Sequence, residues 1–398
     1  MLSQRQLFLN HVAQTSEMPL ALEIEKAEGV YLYDVSGKRY LDLISGIAVS
    51  NVGHRHPKVI EAIQKQLDKY MHVMVYGEYV QSPQVQLAKR LSKYLPSNLS
   101  SVYFVNSGTE AIEGALKLAK RYTGRTEIIS FKNAYHGSTH GSLSIMGSEE
   151  FKNAFRPLLP DTKQIEFNNL KDLQQITMRT ACVVVETIQG EAGVVLPENN
   201  FLRKLCERCN EVGVLLIADE IQCGFGRTGK LFAFEHYDFL PDIICIAKGM
   251  GGGMPIGAFI SSQEIMYSLT NNPILGHITT FGGHPVCCAA SLATLTILLE
   301  EKLLAQIDTK EQLFRKLLRH PKIKSLNGKG LFLSLEFESF EQNKKIIDKC
   351  ISKGVIVDWF LFNQNSMRIA PPLTITEEEI TFACQVILSS INDLFNIV

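Results

Sequence analysis

Between residues 102 and 261 the chain alternates short apolar runs with longer stretches whose apolar residues recur at helical spacing. The runs are Val102–Val105, Ile128–Phe131, Ala181–Glu186, Val214–Asp219, Asp242–Ala247 and Gly257–Ser261. Strands this continuously apolar are buried on both faces, and a parallel sheet covered by helices is the arrangement that buries them so. The stretches between them supply the cover. Ile112, Ala115, Leu116 and Ala119 share one helical face, and Phe201, Leu205, Cys209 and Val212 share another. The expected fold is therefore α/β, with a large, mostly parallel sheet over residues 57–300.

The flanks read differently. Val30–Asp34, Gly37 and Tyr40–Leu43 form a strand–turn–strand pattern. Near the other end, Gly330–Phe337 and Ser366–Ile369 read as strands around a helix Asn343–Lys353 that stops at Gly354. Residues 1–56 and 301–398 are expected to fold together as a smaller α+β unit.

Composition narrows the function. With 40 basic and 41 acidic side chains, the net charge of −1 gives no electrostatic footprint for nucleic acid or an anionic membrane. Met1–Leu20 is broken by Gln4, Arg5, Asn10, His11 and Glu17, so it lacks the apolar core of a signal peptide, and no apolar run is long enough to span a bilayer. Nine scattered cysteines, an odd number, argue against a disulfide framework. The expectation is a soluble cytoplasmic protein.

Three motifs at the carboxyl ends of the apolar strands could carry chemistry. In Asn106-Ser107-Gly108-Thr109-Glu110, Ser107 and Glu110 have the spacing of a capping box, and Gly108 permits close backbone approach. This is either an ordinary helix cap or a phosphate cradle, since a helix N-terminus offers free N–H groups and a positive dipole end. The run Leu215–Glu220 ends on two carboxylates, where ligands of open α/β sheets bind; Asp219 can hold a cationic partner or cap the next turn. Lys248 ends a third apolar run. Partial desolvation would lower its pKa and suit it to Schiff-base chemistry, unless it snorkels to the surface. The glycines after it, Gly249 to Gly253, do not complete G-x-G-x-x-G, which leaves a nicotinamide-dependent oxidoreductase without its fingerprint. A phosphate cradle, an acid and a strand-end lysine on one sheet are the parts that pyridoxal phosphate needs.

These residues belong to a wider set of matches. Gly46–Val49, Gly53–Pro57, Asn106–Ala111, Tyr135–Gly137, Glu186–Glu191, Ala218–Gln222, Lys248, Thr280–Pro285 and Arg368–Pro372 occur in order. From about Gly29 to Pro372 the chain resembles the class III (ω-amino acid) aminotransferases of pyridoxal-phosphate fold type I, and within them the acetylornithine/ornithine group. The resemblance implies the following roles. Lys248 carries the cofactor as a Schiff base and shuttles the proton once substrate displaces it. Asp219 pairs with the pyridinium nitrogen, Tyr135 stacks on the ring with His136 beside it, and Gln222 bonds the 3-hydroxyl. Ser107, Gly108 and Thr109 hold the phosphate, Thr280 reaches it from the partner subunit of a homodimer, and Glu186 is counted among the cofactor-binding residues. Arg368 grips the carboxylate of glutamate or 2-oxoglutarate, a contact worth about 1.5–3 kcal/mol. Glu191 pairs with that arginine when an ω-amine occupies the site, and Ser138, Thr279 and Ile47 complete the substrate-binding set.

The chain departs from the family pattern where His-Gly-Arg-Thr is usual. Here Tyr135 is followed by His136-Gly137-Ser138-Thr139, so the arginine expected to grip the donor's far carboxylate is a serine. Ile47 replaces the tyrosine of ornithine aminotransferase proper, and Glu186-Thr187 replaces the common Glu-Pro. The activity expected is transfer of an amino group from a terminal amine, N-acetylornithine or an ornithine-like donor, to 2-oxoglutarate. The alternatives are a 4-aminobutyrate or other ω-amino acid transaminase and, further off, an aminomutase, racemase or decarboxylase. Cys206 and Cys209 have the spacing of half a metal site but lie in a helical pattern without a second ligand pair, and no metal is expected.

Overall fold

The computed structural model describes residues 2–395. Seven strands form the large sheet: β4 (Ser101–Val105), β5 (Glu127–Phe131), β6 (Thr162–Ile165), β7 (Thr180–Glu186), β8 (Leu215–Asp219), β9 (Ile243–Ile246) and β10 (Gly257–Ser261). Their order is β4-β10-β9-β8-β7-β5-β6. The pairs within β9-β8-β7-β5-β6 are parallel, and β10 runs antiparallel to both of its neighbours. Every residue of β7, β8, β9 and β10 is buried, as the continuous apolar runs require. The sequence pattern missed β6 because it is an edge strand: Thr162, Lys163 and Gln164 stay in contact with water, and only Ile165 is buried.

The expected helix near Phe201 spans Phe201–Val212 and presents Phe201, Leu202, Leu205 and Cys209 inward. Cys209 is thus a core residue, while Cys206 is only partly covered. The helix Pro285–Glu300 packs against the helices Pro57–Leu67 and Ser82–Lys93. Its flanks are apolar all round, which is why no single face stands out in its sequence.

The two chain ends meet. β1 (Ile24–Glu28), β2 (Tyr31–Asp34) and β3 (Arg39–Asp42) form a meander, and β13 (Val355–Ile356) joins β3 in parallel, with Leu41 opposite Val355. A third sheet has the order β11 (Ser325–Lys329), β12 (Phe332–Glu336), β15 (Ser366–Ile369), β14 (Asp358–Trp359). The single strand expected over Gly330–Phe337 is the second arm of a hairpin that turns at Gly330, where φ is +64°. Its first arm, Ser-Leu-Asn-Gly-Lys, is too polar to register as an apolar run.

Arg227 locks these parts together. It is fully buried, and its guanidinium donates to the carbonyls of Leu331 (2.9 Å) and Pro371 (2.5 Å), and to Ser45 Oγ (3.3 Å) and Asn51 Oδ1. The acceptors come from both chain ends, while Arg227 itself follows β8. Burial pushes its pKa down to about 9, against the pull of Asp42.

Candidate active site

Parallel register sets the site. Glu186 at the end of β7 stands beside Asp219 at the end of β8, and Asp219 stands beside Cys245 of β9. Lys248 follows at the end of the same strand, with its backbone in the left-handed region (φ +44°). These carboxyl ends open onto a cavity of about 490 Å³ lined by Ser107, Gly108, Thr109, Tyr135, His136, Ser138, Glu186, Asp219, Gln222 and Lys248, with Val49 and Ile221 among its apolar walls. The sheet crevice is the place where open α/β folds bind ligands.

One wall is the N-terminus of the helix Gly108–Thr123. Ser107 caps it, its Oγ accepting the Glu110 N–H at 3.3 Å. The expected reciprocal box is not closed. The Glu110 carboxylate reaches one residue further back, accepting the Asn106 backbone N–H at 2.6 Å and its side-chain amide at 2.9 Å. Gly137 lets the Tyr135–Ser138 turn lie against this helix start: its φ is +123°, and a Cβ there would sit 2.4 Å from Thr109 Oγ1. Thr139, assigned no role from the sequence, completes the wall with its hydroxyl 2.7 Å from that of Thr109.

The floor is acidic. Asp219 Oδ2 lies 2.7 Å from His136 Nδ1, and Asp219 Oδ1 accepts the Ile221 N–H at 3.0 Å. His136 Nε2 is buried without a partner among the described residues. Glu186 accepts backbone N–H groups from Tyr135 and Gly190, both at 3.1 Å. Burial, reinforced by the Asp219 charge, pushes the Glu186 carboxyl well above its usual range. Burial pulls the Lys248 amine down; the Arg368 charge acts in the same direction, and the carboxylates of Glu191, Asp219 and Glu186 oppose it.

Behind Gln222 lies a buried ion pair. Arg368 donates to Glu191 through Nη1 (2.9 Å) and Nη2 (3.0 Å). Glu191 also accepts the Leu361 N–H at 3.0 Å and the Gln222 amide at 3.4 Å. Burial alone would raise the Glu191 carboxyl; the arginine more than offsets it and holds the carboxyl below its usual range. A second carboxylate, Asp358, meets Arg368 Nε at 3.1 Å, and burial pushes this one up to about 6 despite the arginine. Asp358 was invisible in the sequence because its role depends on the β14–β15 register.

The remaining candidates lie apart from the cavity lining. Thr279 accepts from the Asn106 side chain at 3.0 Å, Thr280 is exposed on the adjoining loop, and Ile47 is half-buried in a tight turn with φ of +63°. Trp359 packs its ring against Phe340 and offers only its carbonyl to Arg368. His54 pairs with Asp42 at 2.8 Å.

The residues present fit pyridoxal phosphate. A capped helix start flanked by hydroxyls suits a phosphate, an acid with a supporting imidazole suits a protonated ring nitrogen, and a desolvated amine suits an aldehyde.

Three comparisons bear on this site. The class-III aminotransferase family model matches residues 12–391. The acetylornithine aminotransferase of Methanopyrus kandleri is 39% identical over 373 residues, covering 93% of this chain and 94% of that protein. That of Archaeoglobus fulgidus is 38% identical over 95% of this chain and 98% of its own length. Among solved structures, the ornithine aminotransferase of Toxoplasma gondii superposes with a TM-score of 0.92 at 29% identity, covering 99% of this chain and 96% of that one. An amine transaminase from an uncultivated Pseudomonas species, solved with its pyridoxal phosphate bound, gives 0.88 at 28% identity over 96% and 98% of the two chains.

Proposed function

The chain belongs to the class-III aminotransferase family, and on that premise we propose that it moves an amino group from N-acetylornithine or an ornithine-like donor to 2-oxoglutarate, giving a semialdehyde and glutamate. The observation that carries this reading is the Arg368–Glu191 pair beside the Lys248 cavity. A ping-pong transaminase must admit a donor with no carboxylate near the reacting amine and an acceptor that has one there. An arginine neutralised by a movable carboxylate serves both: Glu191 covers it for the donor and yields it to the oxo acid.

Bound pyridoxal phosphate supplies an aldehyde that accepts the amine and a ring that delocalises the electron pair left when the adjacent carbon loses its proton. The chain's own residues do the rest. Asp219, steadied by His136 and the Ile221 N–H, holds a positive charge at the ring nitrogen. Lys248, its amine pulled down by burial, would take the proton from the substrate carbon and return it two atoms away, across the nitrogen that joins substrate to cofactor. Of the other residues lining the cavity, Tyr135 would cover the cofactor ring, Gln222 would bond its 3-hydroxyl, and Ser107, Gly108 and Thr109 would hold its phosphate.

The active unit in this reading is a homodimer. Val80 (94% exposed), Ile274 (78%), Met71 and Phe281 are large exposed apolar residues, and Phe281 lies 4.8 Å from His72, so the two loops that carry them adjoin. Such a patch marks an interface. Thr280 is exposed on the same loop, and in this reading it would reach the phosphate site of a second copy.

A second reading, a 4-aminobutyrate or other ω-amino acid donor, follows from Ser138, because the arginine usual in the acetylornithine/ornithine pattern is absent and that mark of the donor is missing. The test is the visible absorbance of the holoenzyme with N-acetylornithine, ornithine or 4-aminobutyrate added singly and no oxo acid present. A change with N-acetylornithine or ornithine supports the first reading, and a change with 4-aminobutyrate alone supports the second. A cofactor band that no donor alters would overturn both.

A further inference from the structure

The Arg368–Glu191 pair uses one edge of the guanidinium, and a different carboxylate holds the other. Asp358 stands directly opposite Arg368 in the antiparallel pairing of β14 with β15, and its Oδ1 accepts from Nε at 3.1 Å. The next two residues act on the same group. The Trp359 carbonyl accepts from Nη2 at 3.3 Å, and the Phe360 ring lies 4.5 Å from the guanidinium carbon. Consecutive residues 358–360 therefore fix one edge and one face of Arg368, whose side chain is only 2% exposed. The Nη1/Nη2 edge faces Glu191, which in turn touches Gln222 of the cavity wall.

Two carboxylates on one guanidinium leave the cluster with a surplus negative charge. If Glu191 were the sole counter-ion, its departure would expose a bare buried cation that is free to turn. With Asp358 in place, Glu191 can leave while the arginine stays both neutralised and aimed. We propose that Asp358 is a positioning residue for the oxo-acid half-reaction, tethering Arg368 through Nε so that its outer edge passes from Glu191 to a substrate carboxylate without the guanidinium turning. This rests on reading Arg368 as the carboxylate grip.

In ping-pong kinetics, kcat/KM for each substrate reports its own half-reaction, so the tether is separable from general damage. For the holoenzyme, Asp358→Ala is expected to lower kcat/KM for 2-oxoglutarate by about tenfold while leaving that for the amine donor within about twofold. Asp358→Asn keeps an acceptor for Nε and is expected to recover most of the loss. Titration calorimetry with glutarate, a non-reacting dicarboxylate, should follow the same order: tight in the wild type, weak in the alanine variant, mostly restored in the asparagine one. Equal losses in both half-reactions, or an asparagine variant as impaired as alanine, would overturn the proposal. Arg368→Ala separates the two readings. If it leaves the oxo-acid half-reaction intact, the reading of Arg368 itself fails; if it impairs that half-reaction and Asp358→Ala does not, only the tether fails.

Discussion

Thr187 Oγ1 donates to Glu220 Oε1 at 2.6 Å, with both residues wholly buried beneath the cavity floor. The same carboxylate accepts backbone N–H groups from Ala233 and Phe234, both at 2.7 Å. Thr187 thus adds a side-chain donor to a carboxylate next to Asp219.

Burial pushes the Glu220 carboxyl from 4.5 up to about 7, with the Thr187 hydroxyl and the two N–H groups working against that rise. The native chain therefore holds more proton than the unfolded chain between about pH 4.5 and 7, and this group's contribution to stability falls as pH rises through that window and is flat above it. Thr187→Val removes a donor that favours the ionised form. It should destabilise the protein by about 1–3 kcal/mol at pH 8 and by less at pH 5, read from urea midpoints of the holoenzyme. Equal losses at both pH values would assign the effect to packing alone.

The His136–Asp219 contact predicts a cofactor phenotype. Asp219 Oδ2 has the imidazole as its donor, and both groups are buried. His136→Phe fills the space and removes the donor, leaving a buried carboxylate oxygen unsatisfied, which costs roughly 1–3 kcal/mol. Pyridoxal phosphate should then dissociate about tenfold more readily, followed by the absorbance that survives gel filtration. Undiminished retention would mean that His136 shapes the pocket without supporting Asp219.

Much of this site was legible because it sits where apolar strands stop. A buried run that ends abruptly in Asp219 or Lys248 announces that the next side chain faces a crevice, and periodicity alone locates such ends. Register was not legible. Nothing in Asp358-Trp359 states that Asp358 will face Arg368, since that pairing is fixed by the turn between two short strands. Arg227 escaped for a related reason: two of its partners are main-chain carbonyls, which leave no mark in a sequence, and all four come from distant segments. The capping box misled in the opposite sense. The Ser107 and Glu110 spacing is present, yet Asn106 offers two donors and takes the carboxylate.

Glu191 should govern the balance between the two half-reactions. Its carboxylate competes with the oxo acid for the outer edge of Arg368 and shields an amine donor from that charge. Glu191→Ala leaves Asp358 to neutralise the arginine, so the fold should persist. The ratio of kcat/KM for 2-oxoglutarate to that for the amine donor should rise about tenfold, in line with loss of one charge-assisted pair. A ratio that does not move would show that Glu191 stays on Arg368 throughout turnover.

Ser138 sets how much the enzyme depends on a donor's far end. Its hydroxyl lies 3.2 Å from Tyr135 Oη, and the residue is exposed at the cavity wall. A hydroxyl can bond a carboxylate but cannot neutralise it, whereas an arginine forks onto it with two parallel donors. Exposure tempers the gain, because water and salt screen a charge pair at an open mouth to about 1 kcal/mol or less. Ser138→Arg should therefore lower KM by up to about fivefold for N-acetylornithine and 4-aminobutyrate, whose carboxylates lie far from the reacting amine. It should do nothing for butylamine, which has no carboxylate to bind. Because the three amines undergo the same chemistry at the same lysine, a common shift would report a general change in the pocket. Only the split between charged and uncharged tails would show that residue 138 faces the donor.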